Sequence, residues 1–153
     1  MRHLGGLLPT DAHTYRGDPW VTRFHLFLCL VITFRSLVHV FRKDGGANSI
    51  AGIDLDVEGG QNIVAIFAQW GLEQLLLAGL AWLALFRYRG LIPLILLINL
   101  LDNIGRILIG RAKPLKIDRP PPGAYGQVLI LPFLAVAFWQ SLPRHRRENR
   151  STF

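Results

Sequence analysis

The stretch that decides the fold of this chain is residues 71–101, GLEQLLLAGLAWLALFRYRGLIPLILLINLL. It consists of two apolar runs separated by the short polar turn RYRG, residues 87–90. A helix of a soluble bundle keeps a polar face along its whole length, yet Leu75–Phe86 and Leu91–Ile98 contain almost no polar residue. The stretch therefore predicts two neighbouring helices that span a membrane.

Four segments of the chain reach the length of about 20 mostly apolar residues that a membrane span requires. The predicted spans are residues 20–41, 62–86, 91–110 and 125–142. Each is predicted to be an α-helix, because a segment in lipid must satisfy its own backbone hydrogen bonds. We expect a single all-α domain over residues 1–153, a four-helix transmembrane bundle with up-down-up-down topology. A polar N-terminal segment (1–19) precedes it and a basic tail (143–153) follows it.

Composition and charge narrow the function classes. The single cysteine, Cys29, excludes an intrachain disulfide and a cysteine-pair redox or metal site. The net charge of +7 arises mainly from basic residues just outside the apolar stretches. Anionic lipid headgroups explain that distribution better than nucleic acid, which binds a single clustered basic face. We expect the bilayer as the main partner, together with another membrane protein or a second copy of the chain.

The flanking Lys and Arg residues indicate an orientation. One side of the membrane holds nine of them: Arg2, Arg16, Arg23, Arg87, Arg89, Arg144, Arg146, Arg147 and Arg150. The other side holds six: Arg42, Lys43, Arg111, Lys113, Lys116 and Arg119. Because cytoplasmic flanks carry the excess of basic residues, the sequence predicts both termini in the cytoplasm. We expect an integral protein of the bacterial inner membrane.

The third span carries a line of polar residues at helical spacing. Asn99, Asp102, Asn103 and Arg106 are three or four positions apart and therefore share one face of a helix. Asp102 and Arg106 are predicted to form an i, i+4 ion pair. Polar residues at this depth are costly in lipid, so this face is predicted to point into the bundle.

The first two spans contribute further polar residues at comparable depth. Gln69 and Glu73 share one face of the second span, and Arg35 and His39 share one face of the first. If the spans alternate in direction, these residues fall at mid-membrane or in the half nearer the loops at 42–61 and 111–123. The candidate ligand-binding residues are Arg35, His39, Gln69, Glu73, Asn99, Asp102, Asn103 and Arg106.

Two roles compete for this polar set. A charge facing lipid costs at least about 2.5–3.5 kcal/mol at mid-membrane, so Arg35, Glu73, Asp102 and Arg106 are all expected to face inward. They then either line a binding pocket or only fasten the helices together. Interhelical polar contacts in bilayers stabilise by about 0.6 kcal/mol on average. This gain is small compared with the cost of placing so many ionisable groups in the membrane. We therefore favour the pocket.

Three functions follow from a polar pocket in a membrane bundle. The first is an accessory subunit or lipophilic-ligand-binding protein of a larger membrane assembly. The second is an enzyme acting on a terpenoid, quinone or lipid, with Glu73 or Asp102 as the general acid or base. The third is a proton or solute carrier, which ranks last because no inverted repeat is evident. The first is preferred, since only an enzyme needs a matched acid and base.

The sequence leaves any cofactor unknown and does not favour a metal site. His39, Glu73 and Asp102 could converge on an ion, but their spacing does not require it. No glycine-rich phosphate loop, nucleophile elbow or HExxH motif is present. The cofactor, the substrate and the identity of any ligand therefore stay open at the level of sequence.

Residues 58–142 resemble a known family in several short motifs. They include Glu58-Gly59-Gly60 before the second span, the run 103–110 (NIGRILIG), Lys113-Pro114 and Pro122-Gly123. Together these resemble small four-helix bacterial membrane proteins of the DoxX-like kind. The resemblance implies a four-helix bundle. It implies no catalytic residue, and the tryptophans of the second span, Trp70 and Trp82, depart from the family pattern.

Overall fold

The computed structural model describes residues 4–115, 117 and 121–143, which are all-helical with no β-strand among them. The four long helices are α1 (Pro19–Phe41), α2 (Gly60–Phe86), α3 (Ile92–Ala112) and α4 (Pro122–Ser141). Two short 3₁₀ helices occupy Leu4–Leu7 and Arg89–Leu91. The basic tail predicted beyond residue 143 lies almost wholly outside the described residues.

Each of the four α-helices is long and apolar enough to cross a membrane. They contain 23, 27, 21 and 20 residues, against the requirement of about 17–25. The predicted all-α membrane fold with four spanning helices is confirmed. The helix bounds differ from the predicted spans by at most three residues, and the ends of α1 and α2 coincide with the prediction.

The largest difference in helix bounds lies at the proline run before α4. The span was predicted to start at Tyr125, whereas α4 already begins at Pro122, directly after the extended Pro121. Proline lacks only an N–H that the first turn of a helix leaves unpaired, and its fixed φ suits a helix start. Proline also occupies the first or second position of α1 (Pro19) and α3 (Pro93).

The closest helix pair is α1 with α2. The buried face of α2 is built from small or neutral residues at spacings of three and four, namely Gly71, Gln74, Ala78 and Ala81. A Cβ atom added to Gly71 lies 2.6 Å from the Cβ of His39 on α1, so only glycine allows this approach. In a bilayer, close packing of this kind is a main source of helix association.

Helices α3 and α4 form the second closely packed pair, and the two pairs meet mainly through one apolar cluster. The cluster comprises Val21, Leu28, Ile92, Leu96, Leu134 and Ala137, all buried. These residues lie in the first part of α1 and α3 and the last part of α4. Away from the cluster the two pairs separate, and this separation creates the cavity described below.

The N-terminal segment covers the same end of the bundle. The N–H of Gly90 donates to the carbonyl of Ala12 at 2.8 Å, and the N–H of Asp18 donates to the carbonyl of Gln140 at 3.0 Å. The Nδ1 atom of His13 lies 3.0 Å from the carbonyl oxygen of Arg87. Residues 11–18 therefore tie the turn between α2 and α3 to the end of α4.

The connection between α1 and α2 is a compact loop organised by Asp44. Its carboxylate accepts the backbone N–H groups of Gly46 (3.1 Å) and Ser49 (2.7 Å) and lies 3.3 Å from the Arg42 guanidinium. Hydrogen bonds from Ser49 are the main reason why the pKa of Asp44 is held well below its usual value. Gly45 and Gly46 have positive φ angles, which glycine adopts without strain.

Candidate ligand-binding cavity

A cavity of about 340 Å³ lies between the two helix pairs and is lined by residues of all four helices. This volume lies at the lower end of the range of about 300–1,000 Å³ typical of ligand pockets. Most of the lining is apolar: Phe27, Leu28, Val31, Ile32, Leu77, Ala78, Leu80, Ala81, Ile95, Ile98, Ile130 and Leu134, with Gly123 and Gly126. The walls therefore suit a lipophilic molecule.

Polar lining residues gather at one end of the cavity. Along the lining, Arg35 is the last residue of α1, Gln74 the first of α2 and Arg106 the last of α3. The remaining polar lining residues are Asn99, Asp102, Asn103 and Gln127. We call this region the polar end. The apolar end is closed by Leu28 and Leu134, which belong to the apolar cluster.

The predicted pair between Asp102 and Arg106 is confirmed. The Nε atom of Arg106 donates to Oδ2 of Asp102 at 2.8 Å. The side chain of Arg106 is 16% exposed and that of Asp102 is 39% exposed. The Nη2 atom of Arg106 is buried and has no hydrogen-bond partner. The ion pair thus engages Nε of Arg106 and leaves its Nη2 donor unsatisfied.

Arg35 is held by two residues of α2 that the sequence analysis did not select as pocket residues. Its Nη2 atom donates to Oε1 of Gln74, which is only 7% exposed, and its guanidinium lies over the Trp70 ring, 5.4 Å from the centroid. Arg106 lies over the same ring at 4.6 Å. The sequence contained an indication that Gln74 faces inward, because it shares a helix face with Gly71, Ala78 and Ala81.

The inward orientation predicted for Glu73 is wrong. Glu73 is exposed on the outer surface of α2, as is Gln69, and neither lines the cavity. The cause is the close approach of α1, which requires the face containing Gly71 and Gln74 to turn inward. Glu73 precedes Gln74 by one residue, a rotation of about 100°, and is carried to the outside.

His39 is buried but does not line the cavity, contrary to the predicted pocket role. Its Nδ1 atom lies 2.7 Å from the carbonyl oxygen of Gly45, and its ring packs against Trp70 with centroids 4.8 Å apart. His39 therefore connects the end of α1 to the loop that follows, and its ring helps to hold Trp70 in place.

Asn99 and Asn103 line the cavity as predicted, and each is anchored to its own helix. The amide nitrogen of Asn99 donates to the carbonyl of Ile95, and that of Asn103 donates to the carbonyl of Asn99, both at 2.9 Å. These bonds orient the side chains. They leave the amide oxygens as the groups that can accept a hydrogen bond from a ligand.

In the part of the chain that the structure describes, no three His, Cys, Asp or Glu side chains are grouped closely enough to hold a metal ion. No protein-family model, curated protein or solved structure matches the chain. The cavity and its residues are therefore the basis for a functional proposal.

Proposed function

We propose that this protein binds a lipophilic ligand within the membrane, in the cavity between its two helix pairs. The observation that carries the proposal is the division of that cavity into apolar walls and a polar end built from Arg35, Gln74, Asp102 and Arg106. Ligand pockets are typically apolar with a few convergent polar groups that orient the ligand. The closer packing within each helix pair than between the two pairs supports a cavity rather than a filled core.

We further propose an up-down-up-down arrangement in the bacterial inner membrane with both termini in the cytoplasm. The imbalance of basic flanking residues supports this orientation. The polar end of the cavity then lies in the half of the bilayer nearer the loop between α1 and α2, on the non-cytoplasmic side. The DoxX-like resemblance of residues 58–142 stays a prediction and agrees with this arrangement.

The test of ligand binding is to fill the cavity with a side chain. Gly126 lines the cavity, and a Cβ atom added there meets nothing within 4 Å, so Gly126→Phe adds a ring at the cavity wall without a backbone clash. Gly79→Phe is the matched control, since Gly79 is equally unobstructed and lies outside the lining. Native mass spectrometry of protein purified in mild detergent should show a small lipophilic molecule retained by wild type and the control.

We expect Gly126→Phe to lose that molecule while keeping its thermal midpoint close to that of Gly79→Phe. Retention of the same molecule by both variants would place it on the outer surface of the bundle. In that case the cavity is not the binding site and the proposal fails.

A second function, as an accessory subunit, is supported by the position of Glu73. Glu73 and Gln69 lie on the exposed face of α2, about one third to one half of the way along the helix. An uncovered carboxylate near mid-membrane costs at least about 2.5–3.5 kcal/mol, so a partner helix that covers this face would relieve the cost. Cysteine cross-linking from Leu76, exposed on the same helix, tests this. A cross-link formed by the Leu76→Cys variant that the additional change Glu73→Leu abolishes supports the role, and no cross-link from Leu76→Cys contradicts it.

The enzyme and carrier alternatives receive less support from the geometry. The enzyme alternative assigns the general acid or base to Glu73 or Asp102, but Glu73 lies outside the cavity and Asp102 is paired with Arg106. A carrier requires a path across the bilayer, and the apolar cluster closes one end of the cavity.

A further inference from the structure

We infer that the ligand is a single-chain amphiphile with an anionic head, held at the polar end by Arg35 and Arg106. The inference rests on the proposed ligand-binding function and specifies its substrate class. The head is a carboxylate, phosphate or similar oxyanion. The chain extends along the apolar lining toward Leu28 and Leu134.

The first argument is the charge of the lining. The cavity is lined by two guanidinium groups and one carboxylate, that of Asp102, which bonds to Arg106. Glu73, the other carboxylate expected to face inward, lies on the outer surface of α2. Within the described residues Arg35 forms no ion pair and is held only by Gln74 and Trp70. The polar end therefore carries an unbalanced positive charge inside the bilayer.

The second argument is the unsatisfied donor of Arg106. Its Nη2 atom is buried without a hydrogen-bond partner, although guanidinium N–H groups left unpaired away from water are costly. Asp102 engages Nε through Oδ2 alone, and no other carboxylate is among the residues that line the cavity. An oxyanion from outside the chain would satisfy both this donor and the charge.

The third argument is the fixed position of the two cations. Arg35 and Arg106 lie over the same indole ring, that of Trp70, with guanidinium carbons 5.4 and 4.6 Å from its centroid. Cation–π contact stabilises each guanidinium, but it also brings two like charges to one place. An anion bound between or beside them would reduce their repulsion, and arginine pairs with carboxylate and phosphate in a bidentate geometry.

The remainder of the lining defines the tail. Beyond Arg35 on α1 the lining residues are Ile32, Val31, Leu28 and Phe27, and beyond Gln74 on α2 they are Leu77, Ala78, Leu80 and Ala81. None carries a polar side chain. The volume of about 340 Å³ suits one hydrocarbon chain better than the two chains of a phospholipid, because it lies at the small end of ligand pockets.

The test compares three probes on protein in a neutral maltoside detergent: dodecyl phosphate, dodecanol and inorganic phosphate. Binding is measured by native mass spectrometry and by the shift in thermal midpoint. We expect dodecyl phosphate to bind at least about tenfold more tightly than dodecanol, since charge-assisted hydrogen bonds contribute more than neutral ones. Inorganic phosphate, which lacks a chain, should give no measurable shift.

Variants then assign the head to the two arginines. Arg35→Gln and Arg106→Gln should each weaken dodecyl phosphate binding by about tenfold or more while changing dodecanol binding little. The matched control is Arg23→Gln, because Arg23 is an exposed arginine on α1 outside the cavity lining. Arg35→Gln keeps the Asp102–Arg106 pair intact, so it tests the inference even if Arg106→Gln is poorly folded.

Each result has one meaning. If neither dodecyl probe binds, the proposed ligand-binding function itself fails. If both bind with equal affinity, or if Arg35→Gln leaves dodecyl phosphate binding unchanged, the cavity holds a lipophile and the anionic head is overturned. If inorganic phosphate binds as tightly as dodecyl phosphate, the site takes a free anion and the amphiphile is overturned.

Discussion

The interface between α1 and α2 is closely packed, whereas the space between the two helix pairs contains a cavity. At the interface, Gly71 lets the backbones of α1 and α2 approach closely, because an added Cβ would lie 2.6 Å from the Cβ of His39. Between the pairs, the larger polar residues Asp102 and Arg106 line the cavity. In lipid, where apolar burial gives little drive for association, close packing depends on small residues.

The neighbours Glu73 and Gln74 show how sharply the interface selects. Gln74 is buried and bonds to Arg35, whereas Glu73 one position earlier is exposed. The neutral amide lies in the register of small residues and the carboxylate does not. The interface therefore decides which polar residues of α2 reach the cavity.

The largest effect on this comparison is expected from Gly71→Val. The new Cβ would lie 2.6 Å from the Cβ of His39 and 3.1 Å from the backbone nitrogen of Val40, so the helices must move apart. Overpacking of this kind costs about 1–3 kcal/mol, occasionally more, and the thermal midpoint in detergent should fall clearly. Gly79→Val has the same helix propensity change with nothing within 4 Å of the added Cβ. Equal midpoints for the two variants would contradict the close-packed interface.

A smaller effect on stability is expected from removing the charge of Asp102 or of Glu73. Asp102→Asn breaks the ion pair with Arg106 and should lower the free energy of unfolding by about 1 kcal/mol, because the pair is partly exposed. Glu73→Gln should leave stability unchanged or raise it in the isolated protein, since Glu73 is exposed. Chemical or thermal unfolding in one detergent measures both. A larger loss for Glu73→Gln than for Asp102→Asn would mean that Glu73 faces inward after all.

Ligand retention by Asp102→Asn provides a further test of the role of Asp102. If Asp102 only fastens α3, Asp102→Asn should retain its ligand in proportion to the folded fraction. If Asp102 orients Arg106 for a ligand, retention should fall well beyond the loss of stability. We expect the second result, because Nε of Arg106 is fixed by Oδ2 of Asp102 at 2.8 Å.

The smallest effect is expected in the loop that joins the close-packed pair. The pKa of Asp44 is depressed in the folded protein, so its contribution to stability is present at neutral pH and is lost as the pH falls through the folded-state pKa. Wild type should therefore lose more stability than Asp44→Asn between about pH 5 and pH 2. At neutral pH the variant should be less stable by less than about 1 kcal/mol. Parallel acid dependence of the two proteins would contradict the role of Asp44 as the organiser of the loop.

Several features could be predicted from sequence because they depend on local or additive physics. Length and hydropathy predicted four spanning helices, since each segment must satisfy its own backbone in lipid. The Asp102–Arg106 pair and the shared face of Asn99 and Asn103 follow from helical spacing within α3 alone. Each of these needs no knowledge of a neighbouring helix.

Other features were decided only by tertiary packing. The rule that intramembrane charges face inward predicted the wrong orientation for Glu73, because the approach of Gly71 to His39 overrides the preference of a single carboxylate. The hydrogen bonds of Ala12 and Asp18 to residues about 80 and 120 positions away likewise carry no local signal. The sequence by itself determined how many helices cross the membrane and which residues share a face. The tertiary structure decided which of those faces meet, because that depends on contacts between distant small residues.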